Sequence, residues 1–367
     1  SGHAYKMILS TLDKSRKGGA YEQIPSLVLG QRWTPQLNSR NMMKVVLCVW
    51  IEPYIENDLS FCVWPVHTPT TSKEVLTLSA STSPLPYTGN KSCIVNTILS
   101  VMPKHTVYID PCMGSAEVFF RKPRAEKEIL NDYNGDLVNL FRVIQNNEKL
   151  AYLLGRLYLS INGELAFKQN KDRLKGVPNI LDDVIETSQI FYDASWEDIQ
   201  NAAAFLENQV YSFSSTGQTF GIARRDMSQR LPRLMSAYNR IRDAIILHRD
   251  YKDVITYAAC PGSFILLDPP YKGTEDMYSK ANFDIEQHDI LFSFMSEVNQ
   301  QHHGEVKFLI TYNNDPYIRG VAEKHGFDTF VQTRLHSMKQ SKEAGALYEE
   351  LLIANYDLEK QAAANHL

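Results

Sequence analysis

The chain has 367 residues, with 38 basic and 42 acidic side chains and a formal net charge of −4. That length suits two or three folding units, or one large domain carrying an insertion. A hydrophobic share of 44% supplies a core, and the balanced charge excludes a globally basic coating protein or a polyacidic tail, though not a local basic face.

Residues 1–84 carry no recognisable chemistry and are read as an N-terminal extension. Within them, 44–66 is expected to form a β-hairpin, and the Thr-, Ser- and Pro-rich stretch 68–86 a linker. Ser1-Gly2-His3 is read as a cloning remnant. From Leu85 the pattern changes. Ile94–Met102 has helical spacing and stops at Pro103, Val107–Asp110 reads as a buried strand, and Ala116–Arg121 restarts a helix. Glu128–Asp132 reads as a second strand and Asp136–Gln145 as an amphipathic helix. Residues 147–250 break this alternation. Ser195 with Asp198 marks a helix start there, and Met227–Leu247 has helical spacing. Alternation resumes at Val254, with strands at Phe264–Leu267 and Val306–Thr311 and helices at Asp284–Val298 and Pro316–His325. Phe327–Arg334 and Tyr348–Tyr356 read as a closing pair of strands. The expected architecture is an α/β domain, 85–150 and 254–357, interrupted by a helical insertion, 151–253, and followed by a tail, 358–367.

The five cysteines, at 48, 62, 93, 112 and 260, include no C-x-x-C. Neither a disulfide scaffold nor a zinc site is expected; no metal is assigned, and the cysteines are expected in the core. A reducing, cytoplasmic setting fits this usage. No run of about 18 apolar residues occurs, so no membrane span is expected.

The chemistry concentrates in three places. Asp268-Pro269-Pro270-Tyr271 directly follows the apolar run Phe264–Leu267. Two prolines fix the backbone and remove two amide donors. They display a carboxylate, a bare carbonyl and an aromatic ring at a strand end, where α/β sheets bind ligands. Asp268 and the Pro269 carbonyl would accept hydrogen bonds from one exocyclic amine, and Tyr271 would stack on a flat heterocycle. Tyr108–Ala116 (YIDPCMGSA) is a strand ending in an acid and then a tight turn; Asp132, at the next strand end, suits a ribose hydroxyl pair. Each of these alone is equally a strand–turn–helix joint or a helix cap. Pro86–Lys91 (PYTGNK) sets a glycine turn beside a cation and an aromatic.

The order Tyr-x-Gly-x-Lys, Asp-Pro-x-x-Gly, Asn-Asp, insertion, Asp-Pro-Pro-Tyr resembles the amino-methylating DNA methyltransferases, and most closely the Dam-like adenine-N6 enzymes (the D12 class, alpha motif order). Lys307–Asn314 (KFLITYNN) and the stretch 350–356 (ELLIANY) extend the resemblance. It implies a Rossmann-like S-adenosylmethionine-dependent methyltransferase sheet with a mostly helical target-recognition insertion. It implies double-stranded DNA as partner, a bacterial or phage source, a monomer in solution and, optionally, a cognate restriction endonuclease. By family position Tyr87, Lys91, Asp110, Gly114, Asp132 and Asp268 would hold S-adenosylmethionine, and Asp268, Pro269, Pro270 and Tyr271 would be catalytic. The family usually has Trp at Tyr87 and a second glycine at Ala116, and its Asn-Gly-Leu-Tyr-Arg stretch is replaced by Val210–Gly221 (VYSFSSTGQTFG).

DNA contact is expected from the insertion. Residues 217–252 hold eight cationic against three acidic side chains, among them Arg224, Arg225, Arg230 and Arg233. Ser214, Ser215 and Gln218 of the Tyr211–Phe220 loop are candidates for base-edge or backbone contact. Methylation of cytosine N4, RNA adenine or a protein glutamine are rival reactions, and a non-catalytic DNA-binding relic is a rival of another class. Asp at the head of the Asp-Pro-Pro-Tyr motif favours adenine.

Overall fold

The structure is a computed structural model and describes residues 82–182, 195–223, 225–273, 283–335 and 347–365. The expected hairpin at 44–66, Cys48, Cys62, Arg224 and all of the linker before residue 82 lie outside the described residues.

Seven strands form one sheet in the order β3-β2-β1-β4-β5-β7-β6. They are β1 (Val107–Asp110), β2 (Lys127–Asn131), β3 (Ile245–Leu247), β4 (Ser263–Leu267), β5 (Lys307–Asn313), β6 (Asp328–Leu335) and β7 (Leu347–Ala354). The first five are mutually parallel, whereas β7 runs antiparallel to β5 and β6. Strands buried on both faces need continuous apolar runs, and β4 is buried along its whole length. The closing pair that the sequence suggests is thus an antiparallel hairpin at one edge.

Helix α1 (Val95–Val101) precedes β1, and α2 (Glu117–Arg121), α3 (Gly135–Gln145), α8 (Tyr251–Ala258), α9 (Ile285–Gln301) and α10 (Pro316–Lys324) connect strands; α4 (Asn147–Tyr158), α5 (Glu164–Lys175), α6 (Trp196–Tyr211) and α7 (Leu231–Ile241) lie between α3 and β3. Helix α6 begins at the capping box formed by Ser195 and Asp198. It is buried on nearly every side, including Glu207, Asn208 and Gln209, because α3, α4 and α5 all pack on it. Helices α4, α6 and α7 therefore rest directly on α3.

Three differences from the sequence pattern have simple causes. Helical spacing through Leu247 ends at Ile241, and Ile245–Leu247 becomes an edge strand beside β2. Three apolar residues are too few for periodicity to separate helix from strand. The tail contains α11 (Leu358–Asn365), which packs on α1 and β6. Of the three described cysteines, Cys93 and Cys260 are exposed rather than in the core, and Cys112 is half-buried against the core's edge. Cys93 lies in the short 3-10 turn before α1, and Cys260 in the turn before β4. No described helix is long and apolar enough to cross a membrane.

Candidate functional site

Strand order reverses at β1, between β2 and β4. At such a switch point the loops leave in opposite directions and open a crevice beyond the carboxyl ends. Asp110 ends β1, Asp132 follows β2, and Asp268 follows β4, so the three carboxylates converge there. They line one cleft of about 1000 Å³, together with Tyr87, Lys91, Gly114 and Pro270.

Asp268 is held from two sides. Its Oδ2 lies 2.5 Å from Lys91 Nζ, and its Oδ1 accepts from Thr311 Oγ1 at 2.7 Å. Lys91 is itself buried, donates to the Gly89 carbonyl at 2.7 Å, and stands 5.0 Å from the centre of the Tyr271 ring. Gly89 reaches this turn at φ 79, a conformation that disfavours other residues. Burial raises the Asp268 pKa, with Lys91 and Thr311 pulling the other way. Pro269 is buried beside it. The Tyr271 ring packs 5.7 Å from Tyr312, and its hydroxyl donates to Glu350 Oε2 at 2.8 Å.

Across the cleft, the Gly114 amide donates to Asp132 Oδ2 and the Asn134 amide to Oδ1, both at 2.9 Å. Burial raises Asp132 to about 6 despite these bonds. Asp110 shares a strand face with Tyr108, two residues earlier, whose hydroxyl donates to Asp110 Oδ2 at 3.0 Å. Its other oxygen is buried and has no hydrogen-bond partner among the described residues. Burial pushes Asp110 up to about 8; the Tyr108 hydroxyl opposes this, while Asp268 and Asp132 add to it. Gly114 has φ 47 and lies against the Tyr87 ring, 3.7 Å from where a Cβ would sit. Ala116, where the family has glycine, also adopts the left-handed region at φ 55.

The loop after α6 is a compact hairpin. Ser212 pairs with Phe220, the Phe213 amide donates to the Thr219 carbonyl at 2.8 Å, and the Gly217 amide to Ser212 Oγ at 2.9 Å. Ser214 and Ser215 both take positive φ, 51 and 57. Ser215 and Gln218 line the cleft, whereas Ser214 is exposed beside it. Thr88 Oγ1 donates to the Ser215 carbonyl at 3.2 Å, joining the Pro86–Lys91 turn to this hairpin.

The basic stretch divides. Arg233 is exposed, and Arg225 and Arg230 are half-buried. Burial lowers the Arg230 pKa, and the nearby Arg233 and Arg225 add to that shift. Arg225 also donates to the Val210 carbonyl at the end of α6. Arg240 plays a different part, with its guanidinium buried on Glu128 of β2 and over the Phe119 ring at 3.7 Å. The run of cations in the sequence is therefore not one surface.

Thr311, Glu350 and Tyr108 were not singled out by sequence. Thr311 and Glu350 are polar positions within apolar strands, fully or almost fully buried. A polar residue inside an otherwise buried strand run is the signal that marks them.

A family profile described as "D12 class N6 adenine-specific DNA methyltransferase" matches residues 87–342. The chain is 25% identical over 258 residues to the DNA N-6-adenine-methyltransferase of Escherichia phage P1, covering 66% of this chain and 31% of that protein. It is 21% identical over 300 residues to the modification methylase LlaI of Lactococcus lactis subsp. lactis, covering 76% and 44%. It is 22% identical over 262 residues to the type II methyltransferase M.CviBI of Paramecium bursaria Chlorella virus NC1A, covering 68% and 90%. The chain thus spans under half the length of the first two relatives.

Proposed function

Because the chain belongs to the D12 class of N6 adenine-specific DNA methyltransferases, we propose that it transfers a methyl group from S-adenosylmethionine to N6 of an adenine flipped out of double-stranded DNA. The observation that carries this reading is the placement of Asp268 between Lys91 and Thr311, beside Tyr271, in one cleft with Asp110 and Asp132.

The cleft suits the donor. Asp132, pinned by two backbone amides, keeps lone pairs for a ribose hydroxyl pair, and the buried free oxygen of Asp110 faces a shortage of donors that a cationic ligand relieves. Tyr87 and Gly114 form an apolar wall and a close backbone approach. When bound, the donor supplies an electrophilic methyl on sulfur.

The chain's own groups handle the amine. The N6 lone pair is delocalised into the ring, so the amine is a weak nucleophile. Asp268 and the Pro269 carbonyl accept its two hydrogens and draw the nitrogen toward a tetrahedral shape. Lys91 and Thr311 keep the carboxylate from rotating, so little reorganisation accompanies the reaction. The raised Asp268 pKa makes this carboxylate a better acceptor for the amine proton lost as the N–C bond would form and the donor's methyl–sulfur bond would break, leaving a neutral thioether. Tyr271 supplies a stacking face. Arg225, Arg230 and Arg233 are proposed phosphate contacts, with Ser214, Ser215 and Gln218 on the DNA side of the cleft.

The test is labelled S-adenosylmethionine offered with duplex DNA, followed by nucleoside analysis. N6-methyladenine from the native protein and none from a folded Asp268→Ala variant is expected; N4-methylcytosine, or retained turnover in the variant, refutes the assignment.

A further inference from the structure

We propose that Glu350 is a positioning residue that locks the ring of Tyr271 as a ready-made stacking platform. The proposal rests on the function above, in which Tyr271 stacks on the flipped base. Glu350 sits in β7, opposite Asn313 of β5 and Gln332 of β6, with 3% of its surface exposed. A carboxylate in the middle of a sheet is costly to desolvate. An apolar side chain would fill the same space without that cost. What Glu350 adds is a directed acceptor, met by the Tyr271 hydroxyl at 2.8 Å.

The ring needs such an anchor. Pro269 and Pro270 fix the backbone before it but not the two side-chain torsions. The Tyr312 ring, tilted by 32° at 5.7 Å, and Lys91 Nζ, 5.0 Å from the ring centre, pack beside the ring. Tyr312 is in turn held by His288 Nδ1 at 2.8 Å and stacked on Phe292. The hydroxyl bond to Glu350, with Thr311 also within hydrogen-bond reach of the same hydroxyl, fixes the ring along its long axis. Burial holds the Tyr271 phenol pKa well above 10, so the hydroxyl stays protonated and keeps donating. A base leaving the duplex then meets a surface already ordered, and the ordering loss does not fall on the binding step.

The test compares the native protein with Glu350→Gln and Glu350→Ala. Gln keeps an acceptor, whereas Ala removes it. Melting temperatures establish that each variant is folded. Expected is a fall of about 3- to 10-fold in kcat/KM for DNA in the Ala variant, an unchanged KM for S-adenosylmethionine, and recovery of most of the loss in the Gln variant. The second readout needs no catalysis: fluorotyrosine-labelled protein, with the Tyr271 resonance assigned by Tyr271→Phe. One sharp line is expected for the native and Gln proteins and an exchange-broadened line for Ala. Equal losses in Gln and Ala, or an unchanged Tyr271 line in Ala, overturn the proposal. If the native protein methylates no adenine, the functional reading fails, and the fluorine line still decides whether Glu350 fixes the ring.

Discussion

Replacing Arg240 with Ala separates a structural arginine from those proposed to contact DNA. Its guanidinium makes a bidentate pair with Glu128, one bond of 2.8 Å to Oε1 and a shorter one to Oε2, and a 2.8 Å bond to the Phe119 carbonyl. The Arg240 and Glu128 side chains are 9% and 6% exposed. Breaking a buried pair by removing one partner typically costs about 3–5 kcal/mol, because a charge is left without compensation. Lys122 Nζ remains 2.6 Å from Glu128 Oε1, which places this case at the lower end, about 3 kcal/mol. At roughly 2 °C per kcal/mol for a large domain, the melting temperature falls by about 6 °C. Arg240→Lys does not rescue it, since an ammonium cannot make the forked contact. The assays are thermal unfolding by circular dichroism and DNA binding by anisotropy across a salt series. Arg240→Ala is expected to lower the melting temperature and leave the salt slope of binding alone. Arg233→Ala, at an exposed position, is expected to do the reverse, reducing the slope by about 1. An Arg240 variant with native melting and a flattened salt slope refutes the reasoning.

Other expectations follow from the same geometry. The Asp110 carboxyl is raised from 3.8 to about 8, so between those values the folded protein holds a proton that the unfolded chain loses. Asp110 therefore subtracts from stability progressively as pH rises through that window, and Asp132 does the same up to about 6. Ligand-free Asp110→Asn should gain melting temperature over the native protein increasingly from pH 4 to pH 8; a gap independent of pH contradicts this. Thr311→Val removes one of the two groups holding Asp268 and should lower kcat by about 10-fold with KM for DNA little changed, read from steady-state methyl transfer. Gly135→Ala places a Cβ 2.8 Å from Asn179 Oδ1 and 2.9 Å from His248 Cε1, both tied to the Tyr133 carbonyl. A loss of about 1–3 kcal/mol is expected in denaturant unfolding, and native stability would show that these side chains move aside freely.

The alternation of apolar runs made the sheet readable because each strand of a parallel sheet is buried on both faces. Its acids were readable because strand ends at a switch point are where a ligand meets the chain. Sequence could not divide the arginines. Arg233 and Arg240 are seven residues apart, about two helical turns, and so share one helix, α7. Which of them meets solvent depends on β2 and α2 arriving beneath Arg240 with Glu128 and Phe119, more than a hundred residues earlier in the chain. The same limit hid the supports of the site. Thr311 meets Asp268 when β5 pairs with β4, and Glu350 meets Tyr271 only once β7 closes against β5. Ala116 shows another case, a departure from the family pattern that sits at a left-handed turn. It takes the left-handed turn that glycine would take, at a strain of about 1–2 kcal/mol. The surrounding structure tolerates this because Ala116 opens α2, and the Phe120 amide, in the first turn of that helix, donates back to its carbonyl at 3.0 Å. The chemistry was thus written in the chain at the strand ends, while the groups that hold it in place come from distant positions that only the fold brings together.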